Sequence, residues 1–315
     1  MPDGRPWPRM SIVTPSYNQG QFIEETIRSV LLQSYPDLEY IVIDGGSTDE
    51  SVEIIKKYVE WLAFWVSEPD RGQSDAINKG LTISKGDFLA YLNSDDAYRP
   101  GAFQVVAQHF NADPRLILLY GDSHTMNQYG RTTQTPRSRD FDLLDLLYAN
   151  YIPQTSTFFR REVLSSVGLF DVENHFGMDY DYWLRVAASY PDRIRYIPRL
   201  LAQCRMHPST KMMASRREFI PETHRIMEKF FARPDLPHVI ADRRAFLCSR
   251  SLVSVAELYF GELRLQEART VLWKSLRKFP VILVRSKAIP LLLKSLLGRR
   301  LLGAMRNLRS RTVHG

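Results

Sequence analysis

The chain has 315 residues, 44% apolar and 24% charged, enough for a main domain with a buried core plus an appendage, so a disordered or fibrous class is excluded. Its two cysteines, Cys204 and Cys248, lie far apart without any CxxC or Cys/His spacing, which argues against a disulfide scaffold and a structural zinc site and favours a reducing cytoplasm. The net charge of +7 belongs to the end of the chain: residues 241–315 carry 16 Lys and Arg against 4 Asp and Glu, whereas residues 1–240 carry 26 against 31.

Residues 1–9 form a proline-containing tail with no apolar h-region, so no secretory signal is read there and a cytoplasmic location is expected. MSIVTPSYN is a short strand ending near Pro15. QFIEETIRSVLLQS then repeats Phe22, Ile23, Ile27, Val30 and Leu31 at helical spacing. LEYIVIDGGSTDES is a second strand broken at Gly45 and Gly46, and its Ser-Thr-Asp cluster caps a helix through SVEIIKKYVEWL. A third strand at WLAFWVSE leads through the loop PDRGQS to a helix over DAINKGLTIS, then to the strand DFLAYLNSDD. LILLYGD, QTSTFFRREVL, HFGMDYDYWLRVAAS and RYIPRLLAQCRMH continue the pattern as further strands and helices. Strands alternating with helices predict an α/β fold, a mostly parallel sheet flanked by helices. Ligand-binding residues of such sheets gather at the carboxyl ends of the strands. That rule places Thr14, Pro15, Tyr17, Asp44, Arg71, Asn93 and Asp95 around one crevice.

From about residue 216 the pattern is helical, and LYFGELRLQEARTVLWKSLRKFP reads as a single helical hairpin of tetratricopeptide type. After Glu267 no acidic residue occurs, while twelve Lys and Arg are interleaved with leucines. Residues 268–315 therefore suit an anionic membrane surface, the alternative being a solvated basic face on packed helices. Apolar runs are too short to span a bilayer. Without a recognised motif beside the charge, nucleic acid is not expected as a partner.

The acidic cluster Asn93–Asp96 follows directly on an apolar strand. Closely placed oxygen ligands there suit a hard divalent cation that keeps positions for water and phosphate, and a cation on a diphosphate neutralises the charge that develops as it leaves. Taken alone, the same cluster is equally a loop or helix cap.

Four ordered segments decide between these readings: SIVTPSYNQGQFIEETIRSVLLQSY, YIVIDGGSTDES, SEPDRGQSDAINKG and GDFLAYLNSDDAYRPGA. Together they resemble the family-2 inverting glycosyltransferases of the GT-A fold, over roughly residues 10–210. The resemblance implies a Rossmann-like GT-A domain at 10–215 with a basic helical extension at 216–315. It also implies a nucleotide-diphosphate sugar donor, a Mn²⁺ or Mg²⁺ ion and a single displacement. Matched residue by residue, Thr14, Pro15 and Tyr17 would line the base and ribose pocket, and Asp44 would help hold the nucleoside. Many relatives follow that aspartate with a second one that bonds the base; here the position is Gly45. Arg71 would pair with the diphosphate through its planar fork.

The DxD motif of the family stands here as Asn93-Ser94-Asp95. Asp95 is then the principal metal ligand, Asn93 bonds a ribose hydroxyl, and Asp96 backs the ligand or touches the sugar. MDYDYWLR resembles the ED motif with Met178 in the Glu position. Asp179 is thus the expected base, taking the acceptor hydroxyl's proton, with Asp181 as its competitor two positions on. His207 would complete the metal shell or touch the diphosphate, Lys211 would assist the phosphates, and Gln154, Thr155 and Ser156 would shape the acceptor side. The expected role is assembly of a polysaccharide or glycolipid on a carbohydrate or lipid-linked acceptor, peripheral to the inner face of the cytoplasmic membrane. A dehydrogenase is disfavoured because no GxGxxG follows the first strand, and a sugar nucleotidyltransferase would place a glycine-rich basic loop where this chain has PSYNQG. The non-enzymatic alternative is a degenerate transferase that binds a nucleotide sugar or a partner. Gly45, Asn93 and Met178 favour it; Asp95 and Asp179 oppose it.

Overall fold

β1 (Met10–Ser16) is buried along its whole length, and β2 (Leu38–Asp44) along all but its first residue. Strands covered on both faces cannot alternate polar with apolar, which is why MSIVTPS and LEYIVID read as nearly continuous apolar runs. β1 pairs in parallel with β2 and β4 (Phe88–Tyr91), and β2 with β3 (Phe64–Ser67). This parallel half carries three connecting helices, α1 (Ile23–Leu31), α2 (Ser51–Lys56) and α3 (Gln73–Ile83). α2 is shorter than SVEIIKKYVEWL suggested: the chain tightens into a 3-10 turn at Val59–Trp61 before β3. In the computed structural model residues 4, 6–211, 216–281, 290, 291 and 293 are described.

The sheet continues with β5 (Ala97–Tyr98), β6 (Leu118–Asn127), β7 (Thr132–Gln134), β8 (Thr157–Arg160) and β9 (Ile194–Met206), in the order β3-β2-β1-β4-β8-β6-β9-β5, with β7 on β6. Parallel pairing holds for the first four strands and for β6 with β9. β8 runs antiparallel to both β4 and β6, and β5 antiparallel to β9, so the second half of the sheet is mixed. α4 (Ala102–Ala112), α5 (Leu143–Tyr148), α6 (Glu162–Ser166) and α7 (Met178–Ser189) complete this part. One core cluster runs from Met10, Ile12 and Val42 on the strands to Ile23, Ile27, Val30, Phe103 and Phe110 on the helices. Burial on this scale is the dominant favourable contribution to folding.

Two features of the parallel half position the site. Register aligns Ser16 with Asp44 and Asp44 with Ser67, so three polar residues form a row at the carboxyl edge. Gly80 lets α3 lie against β1: a Cβ there would stand 2.4 Å from Val13 Cγ1, so only glycine permits this approach.

The chain divides into two compact units, Met1–Ala214 and Ser215–Gly315. The second contains α8 (Arg216–Phe231), α9 (His238–Ala241), α10 (Arg244–Gly261) and α11 (Leu265–Lys278). α10 and α11 make the hairpin expected from LYFGELRLQEARTVLWKSLRKFP, turning at Leu263 with φ +60°. Ala256, Ala268 and Leu272 are buried, and Ser249 and Ser275 each donate a hydroxyl bond to the other's carbonyl. Among the described residues no helix is long and apolar enough to cross a membrane. Most of the basic stretch beyond residue 281 lies outside the described residues.

Candidate functional site

The carboxyl edge of β1, β2 and β3 carries two interlocked loops. Asn18 N–H donates to Ser47 Oγ at 2.8 Å and Gln19 N–H to Ser51 Oγ at 2.9 Å, while Thr48 N–H returns to Asn18 Oδ1 at 2.8 Å. Gly20 N–H donates to Asp49 Oδ2 at 2.8 Å. Burial pushes the Asp49 carboxyl up, but the bonds from Ser51 and Gly20 outweigh it and hold it below the usual carboxylate range. Asp44, fully buried, is the hub: its carboxylate accepts from Ser47 N–H, Ser47 Oγ, Gly46 N–H and Ser67 Oγ. Thr14 is also buried, with its hydroxyl accepting from Tyr40 at 3.1 Å. The Asp44 carboxylate is thus engaged by both of its oxygens, while the Thr14 hydroxyl accepts one bond. Pro15 is buried, whereas the Tyr17 ring is 61% exposed at the rim. Ser16 Oγ is buried at this edge without a hydrogen-bond partner among the described residues.

Residues Asn93–Asp96 turn tightly after β4, with Asp96 N–H donating to Asn93 O at 3.1 Å. The turn sends its two aspartates to different environments. Asp96 is 1% exposed, accepting from Arg205 N–H at 2.8 Å and from Asn93 Nδ2 at 3.2 Å. Burial, with Asp95 close by, pushes its carboxyl well above the usual range. Asp95 keeps more exposure, and its Oδ2 lies 3.0 Å from His207 Nε2 just past β9. His207 is fixed on its other side by Ser209 Oγ at 3.0 Å and packs against the Phe22 ring. Arg205, two residues earlier on the same strand face, is almost wholly buried. Its guanidinium reaches Asp95 O at 2.8 Å, pairs with Glu25 and lies over Phe22.

Asn93 is a node. Its side-chain Oδ1 accepts from Gln73 Nε2 at 2.6 Å, and its Nδ2 donates to Gln154 Oε1 at 3.2 Å. Gln73 in turn accepts from Lys211 Nζ at 2.7 Å. An aspartate at 93 would face Asp96 with like charge at this distance, so the amide fits its surroundings. Arg71 is extended into solvent and donates to Asp75 Oδ1 at 2.9 Å, which holds the Asp75 carboxyl below its ordinary range.

Asp179 opens α7, where the helix dipole favours negative charge; its Oδ2 accepts from Asn150 Nδ2 at 2.9 Å. Asp181 is buried and bonded to Arg185 Nε at 3.0 Å, and Arg185 also caps the carbonyls of Val167 and Leu169. The two carboxylates therefore sit in different surroundings, Asp181 buried within the packing and Asp179 partly exposed. The buried Tyr91 hydroxyl, unpartnered among the described residues, feels both Asp179 and Asp96; burial first, then these two carboxylates, push its pKa well up. Tyr91, the last residue of β4, thus lies within electrostatic reach of both Asp96 and Asp179.

A family model described as Glycosyl transferase family 2 matches residues 11–168, half of the chain. The chain belongs to glycosyl transferase family 2. Among the relatives of this glycosyltransferase, an uncharacterized glycosyltransferase of Mycobacterium tuberculosis is 32% identical over 189 residues, covering 57% of this chain and 69% of the relative. A PGL/p-HBAD biosynthesis glycosyltransferase of Mycobacterium bovis is 28% identical over 182 residues, 56% of this chain and 69% of its own length. Among solved structures, S. aureus TarS 1–349 in complex with UDP-GlcNAc matches with a TM-score of 0.67 at 17% identity, covering 91% of this chain and 89% of that one. The mannosyltransferase PcManGT from Pyrobaculum calidifontis, in complex with GDP-Man and Mn²⁺, matches at 0.57 and 19%, covering 98% and 87%. At these identities the likeness establishes the GT-A fold.

In this family-2 glycosyltransferase several of the motif residues read from sequence contact one another. Asp95 and His207 meet directly, Asn93 and Gln154 bond each other, and Lys211 joins them through Gln73. Ser94 is buried. Thr155 and Ser156 are turned inward, to Ser123 Oγ at 2.7 Å and Gly121 O at 2.8 Å. Sequence reading missed Gln73, Tyr91, Asn150 and Arg205. Of these only Arg205 left a signal, a charge inside a strand two positions before His207 and so on the same face.

Proposed function

We propose that this glycosyltransferase moves a sugar from a nucleotide-diphosphate donor to a hydroxyl acceptor in one inverting displacement. The observation that carries the reading is the pairing of Asp95 with His207, 3.0 Å apart beyond the carboxyl ends of β4 and β9, beside a second, separately held carboxylate, Asp179, at the start of α7. Asp179, partly exposed and oriented by Asn150, is the base: it accepts the proton of the acceptor hydroxyl as the new bond forms. Tyr17 at the rim offers its ring to the base, and Arg71 turns from Asp75 to the diphosphate.

Asp95 and His207 fit a divalent cation shared with the donor. They are an oxygen and an imidazole nitrogen 3.0 Å apart, and among the described residues no cluster of three or more His, Cys, Asp or Glu side chains is available to hold a resident ion. Such a pair leaves most positions to phosphate and water, as Mg²⁺ prefers and Mn²⁺ accepts. When bound, the cation supplies neutralisation of the departing diphosphate. The acceptor is a carbohydrate or lipid-linked hydroxyl in polysaccharide or glycolipid assembly, reached at an anionic membrane surface; the basic, leucine-rich composition of residues 268–315 supports this.

Calorimetric titration with UDP-, GDP- and dTDP-sugars in the presence of Mn²⁺, beside release of nucleoside diphosphate, tests the reading. One donor should bind with metal dependence, and Asp95→Ala should lose that dependence. If no donor binds, the chain is a degenerate, partner-binding member of its family.

A further inference from the structure

Gly45 stands where many relatives carry the aspartate that bonds the nucleobase. Its backbone does not require glycine, since its φ is outside the left-handed region. What a side chain would displace is Asp70: a Cβ on Gly45 would lie 2.6 Å from Asp70 Oδ2 and 3.1 Å from its Cγ. The next residue brings the backbones close as well, with a Cβ on Gly46 falling 3.4 Å from Pro69 N. The loop after β3 therefore delivers a carboxylate into the space that the loop after β2 has vacated. Its two oxygens are not equivalent. Oδ1 accepts from Gly72 N–H at 2.7 Å, whereas Oδ2, on the Gly45 side, receives no hydrogen bond from the described residues.

We infer that Asp70 is the base-reading residue of the donor site and selects a uracil-type base. This rests on the nucleotide-sugar reading above. A uracil or thymine ring presents one imide N3–H, which a single open carboxylate oxygen matches. Guanine presents N1–H beside an exocyclic amine and wants both oxygens, one of which Gly72 already occupies. Cytosine presents an unprotonated N3, an acceptor where the imide base has its donor, and offers a carboxylate only the exocyclic 4-amine to one side.

The same asymmetry fixes what Asp70→Asn does. Gly72 N–H holds the amide oxygen, so the amide nitrogen faces the base, where it donates to cytosine N3 and opposes an imide N–H. Calorimetric titration of the full chain with UDP, dTDP, CDP and GDP in Mg²⁺ reads this directly, with melting temperature as the check on folding. The wild type should favour UDP or dTDP, the pair showing which imide base fits. In Asp70→Asn that affinity should fall about tenfold or more, with the preference shifted toward CDP. Asp70→Ala should lose the imide preference without gaining CDP, and Gly45→Asp added to Asp70→Ala should restore it from the opposite loop. A wild type that prefers GDP or CDP, or an Asp70→Asn protein with unchanged ratios, overturns the role of Asp70 and leaves the transferase reading standing. Failure of all four nucleotides to bind the wild type overturns both.

Discussion

Asp179 and Asp181 are two positions apart, yet their surroundings differ. On a helix that spacing turns side chains to different faces. Asp181 is 3% exposed and bonded to Arg185 one turn on, whereas Asp179 meets Asn150 at the start of α7. Asp179→Asn can still accept from Asn150, so turnover should fall on the order of 10²- to 10⁴-fold while donor affinity in calorimetry stays unchanged. Asp181→Asn should instead lower stability by about 1–3 kcal/mol in urea melts and keep the turnover of the folded fraction; the reverse pattern would reassign the base. Arg71 makes a pH-dependent prediction. Its guanidinium holds the Asp75 carboxyl below its ordinary value of 3.8. A lowered carboxyl pKa contributes stability above the unfolded value, and the contribution is lost as pH falls from there through the folded value. In Arg71→Ala the carbon-13 titration of Asp75 should move up toward 3.8, and acid unfolding should begin at higher pH. At this scale sequence showed which residue types gather but not which way they face. Thr14 and Asp44 stand at strand ends as a pocket requires, yet Tyr40 donates to the Thr14 hydroxyl and Ser67, with the adjacent Gly46 and Ser47, to the Asp44 carboxylate; no spacing rule reveals Tyr40 or Ser67, 26 and 23 residues away.

Elements were more legible than side chains. β1, β2 and β4 read from apolar runs because burial on both faces removes the need for polar positions, whereas β3, partly exposed at the sheet edge, read from its aromatic run, and α1 from its stripe of Ile23, Ile27 and Val30. β5 and β7 have two and three residues, too short for any period, and the antiparallel insertion of β8 between β4 and β6 depends on long-range pairing. The close approach of α3 to β1 was likewise invisible, since Gly80 sits mid-helix where glycine costs about 1 kcal/mol relative to alanine. Its missing Cβ explains the choice. Gly80→Ala should destabilise by about 1–3 kcal/mol despite the better helix propensity, because Val13 is fully buried and stiff at χ1. Val13→Ala removes the clashing methyls, so in denaturant melts the double variant should be more stable than the sum of the two single changes implies. Additive losses would mean that α3 does not bear on β1 at this point.

The whole molecule sets its chemistry and its charge in different parts of the chain. Every residue assigned to the donor and base sites belongs to the unit Met1–Ala214, which is acidic in balance, while twelve Lys and Arg follow Glu267 with no acid among them. Some of that charge is spent internally, since Lys278 pairs with Glu228. The remainder, with Trp273 55% exposed on α11, suits a surface that offers both anionic headgroups and an apolar boundary. Near such a surface each basic residue contributes about 1 kcal/mol, an attraction confined to roughly one Debye length and weakened by salt. The full chain should therefore sediment with phosphatidylglycerol vesicles and not with pure phosphatidylcholine, and added salt should release it. A chain lacking residues 282–315 should stay in the supernatant while binding nucleotide with unchanged affinity, because the donor residues lie elsewhere. Equal sedimentation of both chains would mean that these arginines and lysines are a solvated basic face, and that acceptor and enzyme meet without electrostatic help from the tail.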